Sequence, residues 1–87
     1  MNAGKRSEPG PPNVWRDFGD NDRTMDTEVG FHAHVCRRSS GWIPRVTDPI
    51  TKRFVDLPPC QSDSDAKNAA MVVIGEARQK RERAARA

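Results

Sequence analysis

The strongest constraint on this chain is an alternation of residue type between Val29 and Cys36. Val29, Phe31, Ala33 and Val35 take turns with Gly30, His32, His34 and Cys36, a period of two that sends successive side chains to opposite faces of an extended segment. One face is apolar and the other carries two imidazoles and a thiol, so the segment reads as a half-buried strand. Arg38-Ser39-Ser40-Gly41 supplies turn chemistry, and Trp42 to Thr47 resumes as a second strand. Asp48-Pro49 opens another turn, with Asp first and Pro second as a type I turn prefers. Arg53 to Leu57 is the third strand, stopped by Pro58-Pro59. Both connections are too short for a crossover, so the strands are antiparallel neighbours. Pro44 disagrees with this assignment: a central strand tolerates a missing N–H poorly, and a bulge or frayed end is expected there.

The period then changes from two to three and four. Ser62, with Asp65 three residues on, is a capping-box-like start, and Asp63 and Asp65 place negative charge at the positive end of a helix dipole. Ala66, Ala69, Ala70, Val73, Ile74 and Ala77 form one apolar stripe, mostly of alanine, which lets a helix lie close to a sheet. Gly75 interrupts it at a cost of about 1 kcal/mol, and a close contact with a large side chain such as Trp42 is the expected reason. From Arg78 the stripe fades into a basic helical extension or tail. The fold class is therefore α+β, a three-stranded antiparallel sheet with one C-terminal helix packed on one face.

Length and composition set the limits. A chain of 87 residues is one domain at most. Residues 1–28 lack any strand or helix period and hold Pro9, Pro11, Pro12 and four aspartates, so they read as a disordered, acidic, Pro-rich arm. The division is then arm 1–28, β-β-β-α domain 29–77 and basic extension 78–87. Trp15 and Phe18 are unusual in such an arm; they are read as rings lying against the outside of the domain, with a short linear docking motif as the sharper alternative. The N-terminus has no apolar signal-peptide core and the chain no apolar run of membrane-spanning length. Cys36 and Cys60 could form one disulfide but fit equally well as two free thiols, and the expected setting is cytoplasmic.

If Val29, Phe31, Ala33 and Val35 face the helix, His32, His34 and Cys36 face away. The same parity puts Arg45, Thr47 and Phe54 beside them and Trp42, Val46, Val55 and Leu57 inside. His32, His34 and Cys36 with Cys60 are N and S donors of the kind zinc accepts, but the spacing is that of no familiar finger, so no metal and no cofactor are expected. Cys36 and His34 two apart on a strand are separated by about 6–7 Å at Cα, and nothing in the sequence orients the histidine or cradles a phosphate; the chain is not read as an enzyme, and no small-molecule substrate or membrane partner is expected. The basic residues Arg37, Arg38, Arg45, Arg53, Lys67, Arg78, Lys80 and Arg81 could meet phosphates, or complement the dipole as a solvated helix end.

Three families share the strand–strand–strand–helix order over about residues 30–77. Ser62-Asp63-Ser64-Asp65-Ala66-Lys67-Asn68-Ala69-Ala70 resembles the start of the last helix in double-stranded-RNA-binding domains, with Asp63 and Ser64 where that family carries a lysine pair, so only Lys67 carries over. Asp56-Leu57-Pro58-Pro59-Cys60 before a helix is similar to HicB-type antitoxins, which implies a toxin-like protein partner. Gly41-Trp42 and Asp48-Pro49 ahead of the helix resemble the sheet-reading DNA-binding domains of integrases and plant ethylene-response factors, which implies a sheet face in the major groove. Two functions are carried forward. One is a small non-enzymatic module that binds a protein partner, or a second copy, through the sheet face (His32, His34, Phe54) or an edge strand. The alternative is a nucleic-acid-binding module using the basic sheet face and the basic helix end.

Overall fold

The structure is a computed structural model that describes residues 12–86. The alternating segment lies in the middle of a sheet of five strands, not three: β1 (Arg16–Phe18), β2 (Asp22–Asp26), β3 (His32–Arg38), β4 (Gly41–Thr47) and β5 (Phe54–Asp56), followed by α1 (Asp63–Arg86). The strands form an antiparallel meander in chain order. The α+β class and the single C-terminal helix are as expected; the strand count is not. β1 and β2 come from the segment read as a disordered arm, of which residues 1–11 lie outside the described part.

Residues 16–26 order because they meet a partner that their own composition does not reveal. β2 zips onto β3 from Asp22 opposite Cys36 to Asp26 opposite His32. This buries Met25 fully beside Phe31, Ala33, Val46, Ala70 and Ile74, worth about 2 kcal/mol for the methionine side chain alone. Trp15 packs against that cluster, with the Lys67 ammonium 5.6 Å from its ring centroid. Phe18 remains 53% exposed. Between β2 and β3 the buried Thr27 holds the loop: its Oγ1 accepts from the Phe31 N–H at 2.9 Å and its carbonyl from the Gly30 N–H at 3.0 Å. Val29, read as the first inward residue, lies in this turn and is exposed.

The helix starts where the cap predicts: Ser62 Oγ accepts from the Asp65 N–H at 3.1 Å. Ala66, Ala70 and Ile74 are buried by β3 and β4, with Val73 and Ala77 partly covered. The helix does not end as its stripe fades. It runs on to Arg86, and Arg78 and Arg81 turn back to pair with Glu28 and Asp48. Gly75 is exposed with open space around it, so it marks no close approach to Trp42. Among the described residues no helix is long and apolar enough to cross a membrane.

Pro44 sits in an unbroken β3–β4 register, buried opposite Val35. The expected bulge is on the neighbouring strand. Arg45 faces Asp56 and Trp42 faces Cys60, so residues 57–59 face residues 43–44, one residue in excess. The Pro44 carbonyl accepts from Leu57, which places the missing N–H on this same side, where β5 has already left the ladder. Proline is tolerated there because no acceptor is waiting for it.

Trp42 and Cys60 exchange two backbone hydrogen bonds, at 2.9 and 2.7 Å, and this bridge brings the chain under the β3–β4 turn before the helix begins. Gly41 makes the bridge possible, with φ +126° and room for no Cβ: one added there falls 2.6 Å from the Cys60 carbonyl oxygen. Gly41→Ala is expected to destabilise the fold by about 2 kcal/mol or more. Gly19, at φ +73° with nothing within 4 Å, is the control, and Gly19→Ala is expected to cost about 1 kcal/mol. Urea denaturation of the two variants checks the order.

Candidate functional site

One face of the sheet carries the helix and the other carries nothing among the described residues. Directly opposed residues of antiparallel strands share a face, so the register writes the open face out in rows. One row runs Arg16, Thr24, His34, Arg45, Asp56; beside it lie Phe18, Asp22, Cys36 and Ile43, and on the other side Asp26, His32, Thr47 and Phe54. The outward placement of His32, His34, Cys36, Arg45, Thr47 and Phe54 is as parity predicts. Of the predicted inward residues, Val46 is buried, while Val55 stays 49% exposed because the helix does not reach the sheet's edge.

Three side-chain contacts hold this face in place. His32 donates from Nδ1 to Asp26 Oδ1 at 2.7 Å, and His34 from Nε2 to Asp22 Oδ1 at 2.9 Å. Arg45 binds Asp56 through Nε at 2.7 Å and Nη2 at 3.2 Å, a fork matched to a carboxylate. The Arg45 guanidinium also lies 4.0 Å from the Phe54 ring centroid, within cation–π range. The bond from Arg45 holds the Asp56 carboxyl below its ordinary value, and the same bond raises Arg45. His34, Cys36, Arg38, Ile43, Arg45 and Asp56 line a shallow recess of about 170 Å³ between them.

This face is not the basic surface expected. Arg16, Arg38 and Arg45 stand against Asp22, Asp26 and Asp56, so the aspartates of β2 and β5 balance the arginines. The other predicted phosphate contacts are scattered. Arg38 shares the recess with Arg45, but Arg37, next to it at the end of β3, turns to the other face and leans over Trp42 at 6.0 Å; Arg53 precedes β5. Lys67, Arg78 and Arg81 lie on the helix, each ion-paired within the chain, to Asp63, Glu28 and Asp48. Lys80 is exposed. The structure gathers these eight residues into no common patch.

The donors weighed for zinc are not brought together either. Cys60 pairs with Trp42 on the helix side of the sheet, while Cys36 is on the open side. Both thiols are free, and no group of three His, Cys, Asp or Glu fit to hold a metal occurs among the described residues. A second cavity, of about 330 Å³, opens between the β2–β3 turn, the β4–β5 turn and the far half of α1, lined by Val29, Phe31, Pro49, Ile50, Arg78, Arg81 and Glu82.

The sequence reading missed Asp22, Asp26, Arg16 and Phe18 as members of the open face. The available signal was Gly19-Asp20-Asn21, a turn cluster between two short extended runs. No family model, no curated protein and no solved structure matches the chain.

Asp48 at the start of the β4–β5 turn is held low first by the Thr51 N–H, then by the Ile50 N–H and Arg81. Asp48 and Asp56 both have folded values below the ordinary 3.8. Their stabilisation is therefore complete above that pH and is lost as pH falls through the depressed folded values. Urea midpoints should drop on acidification below about pH 4, and Asp48→Asn and Asp56→Asn should each flatten that limb while lowering stability at neutral pH.

Proposed function

We propose that the chain is a small non-enzymatic protein-binding module whose open sheet face docks a protein partner. The observation that carries this is the uncovered face itself. Its central side chains are already tied down by the His–Asp and Arg–Asp contacts, and Phe18 and Phe54 stand at its two margins, 53% and 57% exposed. Pre-ordered side chains lose little entropy on binding, and arginine beside an aromatic ring is the composition that interfaces favour. Docking by edge-strand addition has less support. β1 and β5 are three residues each, and Pro58-Pro59 follows β5, both of which blunt an edge as a template.

The nucleic-acid reading has less to rest on for a physical reason. Phosphate binding needs an excess of positive potential; on the open face carboxylates cancel it, and on the helix Lys67, Arg78 and Arg81 are occupied by acids of the chain itself. A photo-cross-linking residue at Thr47, on the open face beside Phe54, should give a discrete protein adduct that Phe54→Ala reduces several-fold, while the same residue at exposed Gln79 on the helix should not. Equal labelling at both positions sinks the reading. Duplex RNA or DNA binding by fluorescence anisotropy that persists at physiological salt would transfer it to the nucleic-acid alternative.

A further inference from the structure

We infer that the partner of the open face is a second copy of this chain, packed face to face about a two-fold axis that runs along β3. The inference rests on that face being the docking surface.

Two two-fold axes can stack this sheet on itself with strands aligned, and charge decides between them. An axis across the strands lays each strand on its own copy. Arg16 then meets Arg16, Arg45 meets Arg45, Asp56 meets Asp56, and Asp22 falls near Asp26, a set of like charges in apposition. An axis along β3 exchanges β1 with β5 and β2 with β4. Arg16 then lies over Asp56 of the second copy, since both belong to one row of the register. Asp22 and Asp26 of β2 flank Arg45 on β4 of the second copy. Every charge on β1, β2, β4 and β5 meets its opposite, and the one like-charge apposition left is Arg38 over its own copy at the exposed end of β3.

The centre of such a stack suits burial. His34, His32 and Cys36 of β3 lie along the axis, and each imidazole already has its hydrogen bond to Asp22 or Asp26 within its own chain. Stacked sheets sit about 10 Å apart, a gap that arginine and aspartate side chains reach across. The face is small: β3 and β4 are seven residues long but β1 and β5 only three. Each copy therefore covers less than the roughly 800 Å² of a standard interface, and self-association should be reversible and concentration-dependent.

Sedimentation equilibrium on the full chain tests this by charge exchange. The wild-type protein should pass from monomer to dimer as concentration rises. Arg16→Glu alone sets a carboxylate against Asp56 at both symmetry-related contacts. Asp56→Arg alone sets a second guanidinium against Arg16 at both. Each variant should therefore weaken association about tenfold or more. An equimolar mixture of the two variants restores an opposite-charge contact in the heterodimer and should dimerise again, with circular dichroism confirming that both variants are folded. A wild-type monomer at every concentration, or a mixture no better than its components, overturns the inference. If the wild type is monomeric while Thr47 captures a different protein, the second copy is ruled out and the docking face survives; if Thr47 captures nothing, both fall.

Discussion

Arg23 puts a full charge on the helix-covered side of the sheet, and the corner around it is built to keep that charge partnered. Its side chain is 14% exposed. Nε lies 3.2 Å from Asp63 at the start of α1 and 3.1 Å from Asp17 on β1. Nη1 donates to the carbonyls of Gly19 and Asp22, and the guanidinium lies 5.1 Å from the Trp42 ring. One side chain thus joins the β1–β2 turn, the first turn of the helix and the aromatic end of β4. Removing one member of such a cluster leaves the others desolvated without a partner. The alanine stripe of α1 is too slight to anchor the helix alone, and it begins only at Ala66, so Arg23 and Trp42 take over where apolar packing stops.

The opposite face is held differently. There the polar side chains are hydrogen-bonded across strands in the plane of the sheet: His32 with Asp26, His34 with Asp22, Arg45 with Asp56. Such pairs at half-exposed positions contribute little to stability, but they fix side-chain orientation and leave the surface nearly neutral. That neutral, uncovered face between two exposed phenylalanines is the feature on which the proposed protein docking rests. The far half of α1 uses its charge inwardly as well, since Arg78 and Arg81 hold the two turns that flank Phe31.

The β3–β4–β5 order, the helix, its serine cap and the inward set of Ala33, Val35, Val46, Ala66, Ala70 and Ile74 were legible, because each is written in a local period or a capping residue. The open face was half legible. Parity assigned His32, His34, Arg45 and Phe54 to it correctly, since alternation alone decides which side a strand residue takes. It missed Asp22 and Asp26 because β2 is polar, DRTMD, with one buried side chain. A strand of that composition forms only when a neighbour supplies both a hydrogen-bonding edge and a pocket for Met25. Pro44 was read as a fault in β4, and the fault lies instead in the strand beside it.

Local sequence by itself determined the element types from β3 to α1, the helix start and the side of the sheet on which each residue of β3 and β4 lies, because those follow from backbone geometry and a period of two or 3.6. Tertiary structure alone decided that residues 16–26 are strands rather than arm, that Arg78 and Arg81 are ion-paired, and that the histidine face is balanced by aspartates. These outcomes depend on partners 12 residues away for His34 and Asp22, 33 for Arg81 and Asp48, and 40 for Arg23 and Asp63. No local period encodes such pairings; they arise once the meander and the helix bring those side chains within reach.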